Sequence, residues 1–290
     1  MTETLAKKYG ALVVFAEHRY YGTSMPFNNK TKAFQKENLK WLNVQQVMED
    51  YVALTEYIKN TQYPALKDRA VILFGGSYGG MLAGWMRIKY PHHFQGALAS
   101  SAPVFWFRGK TDPNAYTKVA SRVIKQMGGQ QCFDLYKQGF YDLQLMVQDA
   151  SRYTTVKDAF NLCTVPKSSD EVQSLIDTLS DALGTMAMVN YPYPTNFINS
   201  LPAWPQQYAC EQAKNLTAEV NLGAGSFNFT AIQALKRGAS VFYNYTGSMN
   251  CLNLTEDTSS GLDDSGWTIQ TCIDMPMPMG DDPSDTCFTW

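Results

Sequence analysis

The stretch AVILFGGSYGGMLAGW, residues 70–85, constrains the fold more than any other part of this chain. Its apolar opening suits a strand buried on both faces. Gly75-Gly76-Ser77-Tyr78-Gly79 then matches G-x-S-x-G, and the small-residue run that follows is compatible with a helix, which is the setting the motif requires. A serine at such a strand-to-helix turn sits in a strained conformation. The turn is so tight that the positions two before and two after it, Gly75 and Gly79, are expected to lack side chains. Ser77 is therefore the candidate nucleophile. The backbone N–H of Tyr78, at the positive end of the next helix, is the candidate oxyanion donor. A glycine-rich turn that holds a serine by accident is the bland alternative, and the strand–turn–helix context favours catalysis over it. A phosphate-binding loop fits less well, because the Lys-Ser/Thr of a P-loop and the acidic residue of a dinucleotide site are both missing.

The flanking sequence extends the pattern. GALVVFAE, residues 10–17, reads as another buried strand. Asn43 has the character of a helix N-cap with Gln46 three positions on, and Val47, Tyr51, Leu54 and Ile58 repeat at helical spacing up to about Asn60. The segment from Gly79 to Tyr90 reads as helix and GALASSAPV, residues 96–104, as a third strand. Strand and helix in alternation predict an α/β fold with parallel pairing and crossover helices. After about residue 108 the periodicity turns helical, as in CFDLYKQGFYDLQLMVQDA and SSDEVQSLIDTLSDAL, so residues 109–258 are expected to form a helical insertion between core segments 1–108 and 259–290. The final segment, GWTIQTCIDMPMPMGDDPSDTCFTW, reads as loop.

With 24 basic and 26 acidic residues the formal charge is -2, and no Lys/Arg run reaches four residues, so no electrostatic case exists for nucleic acid or an anionic membrane. No apolar run approaches the ~20 residues of a membrane span, and the first ten residues lack the apolar core of a signal peptide. Five N-glycosylation acceptors, Asn29, Asn215, Asn228, Asn244 and Asn253, nevertheless point to a secretory route, which predicts that the true N-terminus lies upstream. Six widely spaced cysteines, Cys132, Cys163, Cys210, Cys251, Cys272 and Cys287, include no CxxC pair and have no neighbouring histidine. They read as a disulfide set and not as a zinc site, and neither a metal nor an organic cofactor is implied.

A serine nucleophile needs a base, and the usual order in this fold is Ser, then Asp or Glu, then His. The three histidines are His18, His92 and His93. The latter two follow Ser77 by a helix of about 12 residues, which carries them about 18 Å from the turn. His18 stands at the end of a strand that can neighbour the elbow, but in the wrong order, and a structural role suits it better. Asp281, Asp282 and Asp285 lie on a polar loop with no histidine after it and read as solvated turn residues.

Taken together, VVFAEHRYYGTSMPF, LFGGSYGGMLAGWMRIKYPHHFQGALASSAPV, MVNYPYPTNF, LPAWP and GWTIQTCIDMPM resemble the serine peptidases that include lysosomal Pro-Xaa carboxypeptidase and dipeptidyl peptidase II. The resemblance covers most of the chain. It implies a partial α/β-hydrolase core, a mostly parallel sheet with a nucleophile elbow, carrying an inserted helical, disulfide-linked cap. It implies an exopeptidase that acts on peptides with proline near one terminus, located in lysosomes or secreted, for which a homodimer is an open possibility. It assigns Ser77 as nucleophile and places the family's Asp and His beyond Trp290, so the chain is expected to be a central fragment with little turnover of its own. It also suggests disulfides Cys132–Cys210 and Cys163–Cys251, with Cys272–Cys287 as a third. Tyr78, Met81, Met275 and Met277 are read equally as an apolar pocket for proline and as core packing. Glu17 and Arg19 read as a structural ion pair before a catalytic one. An esterase or lipase, or a non-catalytic binding glycoprotein of the same fold, are the rival readings.

Overall fold

The computed structural model describes residues 2–215, 227–254, 265–277, 279–280 and 286–288. Its elements in chain order are α1 Thr2–Tyr9, α2 Lys30–Ala33, α3 Val44–Tyr57, β1 Ile72–Gly76, α4 Tyr78–Lys89, β2 Gly96–Ser100, α5 Ala115–Val147, α6 Tyr153–Phe160, α7 Ser169–Met188, α8 Pro205–Lys214, α9 Phe229–Asn244 and α10 Ser265–Ile273, with short 3-10 turns and one π-helical turn, Ile58–Gln62, between them. The protein is mostly helical, and this corrects the expected fold class. Among the described residues the sheet has two strands, β1 and β2, paired in parallel from Ile72 opposite Gly96 to Gly76 opposite Ser100. A sheet-rich α/β-hydrolase core is not what these residues build.

The largest departure is at residues 10–17. The chain turns out of α1 through Gly10, at φ 59°, and then runs on without joining a ladder. Leu12, Val13 and Val14 are exposed, and Phe15 is 85% exposed. Apolar character does not by itself make a strand, because the backbone N–H and C=O groups need a neighbour to take them up, and no described strand lies alongside. The same lack of neighbours leaves Ile72 and Phe74 of β1 at 50% and 52% exposure, where burial on both faces is expected of a parallel sheet.

The chain divides into two compact units, Met1–Thr111 with Asp263–Met277, and Asp112–Leu262 with Pro278–Trp290. In the first, β1, α4 and β2 form one parallel crossover. Asn43 caps α3, its side chain accepting from the Gln46 N–H at 2.9 Å. The Gln46 side chain does not complete a capping box; its Oε1 accepts from Arg19 instead. An apolar cluster of Val44, Val47, Met48, Met81, Leu82, Met86, Phe94 and Met275 packs α3, α4 and the segment after α10 together. α10 itself corrects the reading of the final segment as loop. Nine residues give too few turns for a period to show, and the face that carries Trp267 and Gln270, both against Tyr78, mixes apolar and polar side chains.

The second unit is a helical bundle of α5 to α9 around Ile124, Tyr136, Phe140, Leu143, Leu175, Leu179, Leu183, Leu235 and Phe288, among others. α5 is broken at Gly129, which takes φ 80° and ψ 171°. A Cβ on the adjacent Gly128 would collide with the Cys210 sulfur, so the glycine admits the Cys132–Cys210 disulfide at the break. A second disulfide, Cys163–Cys251, lies beside the parallel bridge of Leu162 with Leu252. In the chain-entropy view, closing loops of 78 and 88 residues stabilises the fold by about 4.5 kcal/mol each. The suggested third bridge is absent: Cys272 is an exposed free thiol in the first unit, whereas Cys287 is buried in the second, its N–H donating to Ser121 Oγ of the same unit at 3.0 Å. No described helix is long and apolar enough to cross a membrane.

Candidate active site

Ser77 stands between the last residue of β1 and the first of α4, with φ 53° and ψ -124°. A positive φ at a non-glycine residue stores roughly 1–3 kcal/mol of strain, so the surrounding contacts have to hold it in place. They do so from both sides. The Ser77 N–H donates to the Ser100 carbonyl at the end of β2, at 2.9 Å, and the Ser77 carbonyl accepts from the Met81 N–H at 3.0 Å in the first turn of α4. The side chain is exposed and makes no capping bond to the helix. The hydroxyl thus projects at the positive end of α4, where the first N–H groups, that of Tyr78 included, have no acceptor within the helix.

The two glycines of the motif differ in what they do. A Cβ on Gly75 would overlap the Gly79 carbonyl group and come within 2.7 Å of the Gly80 nitrogen. A Cβ on Gly79 would meet nothing within 4 Å, so glycine at 79 is not a steric requirement of this turn. Gly80 is the other tight position, because a Cβ there would lie 2.9 Å from the Ser100 carbonyl and 3.0 Å from the Ala102 side chain.

Tyr78 turns its ring inward, beside Trp267 with centroids 5.5 Å apart. Its hydroxyl lies 2.8 Å from the Gln270 Nε2 donor and 3.0 Å from His18 Nε2. Burial pushes the phenol well above its ordinary range, so it stays a neutral hydroxyl. His18 does come close to the elbow, but both of its ring nitrogens are engaged elsewhere, Nε2 with Tyr78 and Nδ1 with the Arg19 carbonyl at 2.5 Å. Burial lowers its pKa from 6.5, and the neighbouring Arg19 charge acts the same way, opposed by the Arg19 carbonyl and by Asp50. His93 sits past the far end of α4 and pairs with Glu56 at 2.8 Å.

Met81 and Met275 are buried, at 0% and 1% exposure, inside the apolar cluster under the elbow, and Met277 is half-buried. Core packing describes the first two in this arrangement. Arg19 pairs with Asp50 through two contacts of 2.6 Å and not with Glu17, which corrects the expected partner. Glu17 instead accepts from the Thr23 hydroxyl and the Ser24 N–H; hydrogen bonds from Ser24 and Thr23 lower its pKa to about 2. A cleft of about 470 Å³ lies against Glu17, Arg19, Trp41 and Asp50, and Ser77 does not line it. Asp274, absent from the sequence reading, accepts from the Val44 N–H at 2.7 Å and so ties α10 to the start of α3. Gln270 was missed for the same reason as the helix that carries it. Asp281, Asp282 and Asp285 lie outside the described residues, and among the described residues no cluster of three or more His, Cys, Asp or Glu could hold a metal ion.

Of the acceptor asparagines, Asn29 and Asn228 are exposed N-caps, their Oδ1 atoms accepting from Lys32 N–H and Ala231 N–H. Asn215 is exposed at the end of α8. Asn244 is half-buried with both amide atoms bonded to the Met249 backbone, and Asn253 is half-buried.

An exposed serine at positive φ on a strand-to-helix turn, at a helix N-terminus, is the local geometry expected of a serine-hydrolase nucleophile. The comparison with known proteins gives the class its family. The family model described as Serine carboxypeptidase S28 matches residues 1–289, and the chain belongs to that family of serine peptidases. Similar relatives include the lysosomal Pro-X carboxypeptidases of Bos taurus, 35% identical, and of Homo sapiens, 34% identical, each over 98% of this chain and 55% of the relative. Prolyl carboxy peptidase like protein 5 of Caenorhabditis elegans is 36% identical over 99% of this chain and 56% of its own length. The chain therefore spans about half the length of the curated relatives it matches.

Proposed function

We propose that the polypeptide carrying these residues is a serine exopeptidase that cleaves next to proline. Ser77 Oγ attacks the scissile carbonyl, the Tyr78 N–H donates to the oxyanion, the amine leaves, and water hydrolyses the acyl-serine. The observation that carries this reading is the exposed Ser77 hydroxyl held at φ 53° on the N-terminus of α4. The named activity of the lysosomal Pro-X carboxypeptidases supports proline as the specificity element and a lysosomal or secreted location, as do the exposed acceptor asparagines, read as glycan sites. The apolar wall that would receive the proline ring is assigned to the half-buried Tyr78 and Met277, with Met81 and Met275 as the packed layer beneath.

None of the three histidines is placed to deprotonate Ser77, so residues 1–290 alone are expected to turn over little substrate. Serine at its ordinary pKa is a weak nucleophile and needs a base to activate it. The reading is tested by assaying the product of the complete coding sequence on a peptide ending in Pro-Xaa and on a short-chain ester. The expected result is faster turnover of the peptide, abolished by Ser77→Ala. Preference for the ester points to an esterase, and activity that survives Ser77→Ala rules out the mechanism.

A further inference from the structure

The Tyr78 hydroxyl sits in a run of hydrogen bonds whose directions the chemistry fixes. The Arg19 carbonyl can only accept, so the His18 nitrogen facing it, Nδ1, carries the proton. A neutral imidazole then has a bare Nε2, and the Tyr78 O–H donates to it across 3.0 Å. The Tyr78 oxygen accepts from Gln270 Nε2 at 2.8 Å, and the Gln270 Oε1 accepts from the Tyr21 hydroxyl at 3.0 Å. Every link points the same way, from Tyr21 through Gln270 and Tyr78 to His18, and Gln270 in its centre is fully buried. Tyr21 also packs edge-on against the His18 ring, with centroids 4.9 Å apart, which closes the run on itself.

Tyr78 is the residue whose backbone N–H faces the candidate oxyanion position, and its peptide is fixed on one side by the strained Ser77. Its place in α4 and the ring contact with Trp267 restrain it further, and this side-chain run of bonds fixes the end of the ring. We propose that Tyr21, Gln270, Tyr78 and neutral His18 form a positioning network for the elbow, which holds the Tyr78 N–H toward the oxyanion and disengages when His18 takes up a second proton. The inference rests on the serine-peptidase reading above. Protonated His18 carries hydrogens on both nitrogens, so Nε2 can no longer accept from Tyr78 and the run has to reverse or break. The charged groups facing His18 are Arg19 and Asp50, which pair with each other, and the titratable groups facing the Tyr78 hydroxyl are the phenols of Tyr21 and Tyr51 and the carboxyl of Asp274. The network is intact above the pKa of His18 in the folded protein and is lost as pH falls through it. Because burial holds that pKa below 6.5, the network persists into mildly acidic medium.

The first test uses the 290-residue chain, with imidazole nitrogens labelled with ¹⁵N and His18 assigned by its loss in His18→Gln. The expected result is a neutral ring protonated at Nδ1, which titrates below the usual histidine range; a ring protonated at Nε2 overturns the proposal. The second uses the complete polypeptide and a Pro-Xaa peptide. Tyr78→Phe and Gln270→Leu are expected to lower kcat about tenfold, less than the loss of an oxyanion donor outright, with KM within about twofold. Both should also alter the acid limb of the kcat profile, while Gln270→Glu, which keeps an acceptor for Tyr21, alters it in a different way from Gln270→Leu. If Ser77→Ala abolishes hydrolysis but Tyr78→Phe and Gln270→Leu leave kcat and the acid limb unchanged, the network plays no positioning part. If Ser77→Ala leaves hydrolysis intact, the peptidase reading itself fails and this inference with it.

Discussion

At Ser77 the backbone carries the strain, and of the two motif glycines beside it, Gly75 and Gly79, only Gly75 relieves a collision. Gly75→Ala places a methyl group against the Gly79 carbonyl, which neither strand nor helix can move away from without breaking its own ladder, so a loss of about 3 kcal/mol is expected in thermal or urea unfolding. Gly79→Ala puts its methyl group in open space in the first turn of α4, where alanine favours helix by up to about 1 kcal/mol over glycine, so its stability should be unchanged or slightly raised. The reverse order of the two effects would show that the turn differs from the one described. Two titrating residues beside the elbow set a pH dependence. Glu17 has its pKa lowered from 4.5 to about 2, so its contribution to stability is complete above 4.5 and is lost as pH falls toward about 2. His18 is held below 6.5 by burial, so the unfolded chain binds protons first and stability also falls with pH below 6.5, down to the folded value. Unfolding curves measured from pH 7 to pH 2 should show both losses, with the lower one removed by Glu17→Gln.

The elements show where sequence pattern was sufficient and where it was not. The turn at Ser77, the cap at Asn43 and the helices of the second unit were legible because each is decided locally, by a motif, by a capping side chain, or by a 3.6-residue period over many turns. Residues 10–17 were not, since a strand is completed by a partner that local pattern cannot supply, and here the apolar run stays exposed and unpaired in any ladder. α10 escaped notice because nine residues give too few turns for a period to stand out, and with it went Gln270 and Asp274, whose partners lie more than 190 residues away in sequence. Cys272 and Cys287, which the family resemblance suggests as a third pair, belong to different units. Within the bundle, Tyr136 on α5 is fully buried with its hydroxyl unpartnered, pressed against the position where Gly238 of α9 lacks a Cβ. A buried hydroxyl with no partner costs about 1–3 kcal/mol, so Tyr136→Phe is expected to leave stability unchanged or raise it by about 1 kcal/mol in calorimetry. A loss of that size would mean the hydroxyl has a partner.

For the whole molecule, the two units divide the labour by construction. One holds the elbow, the network behind it and an apolar cluster that fixes α4; the other is a bundle in which two disulfides close loops of 78 and 88 residues. The proposed chemistry falls in the first, at a serine that is exposed and held at φ 53°. The chain belongs to the Serine carboxypeptidase S28 family and spans about half the length of the relatives it matches. The central claim is that Ser77 is the nucleophile. The measurement that tests it most directly is peptide mapping of the complete polypeptide after treatment with a fluorophosphonate. The account predicts one adduct, on the peptide containing Ser77, formed in step with loss of Pro-Xaa cleavage; an active protein that is inhibited with the adduct on another residue, or that stays active and unlabelled, contradicts it.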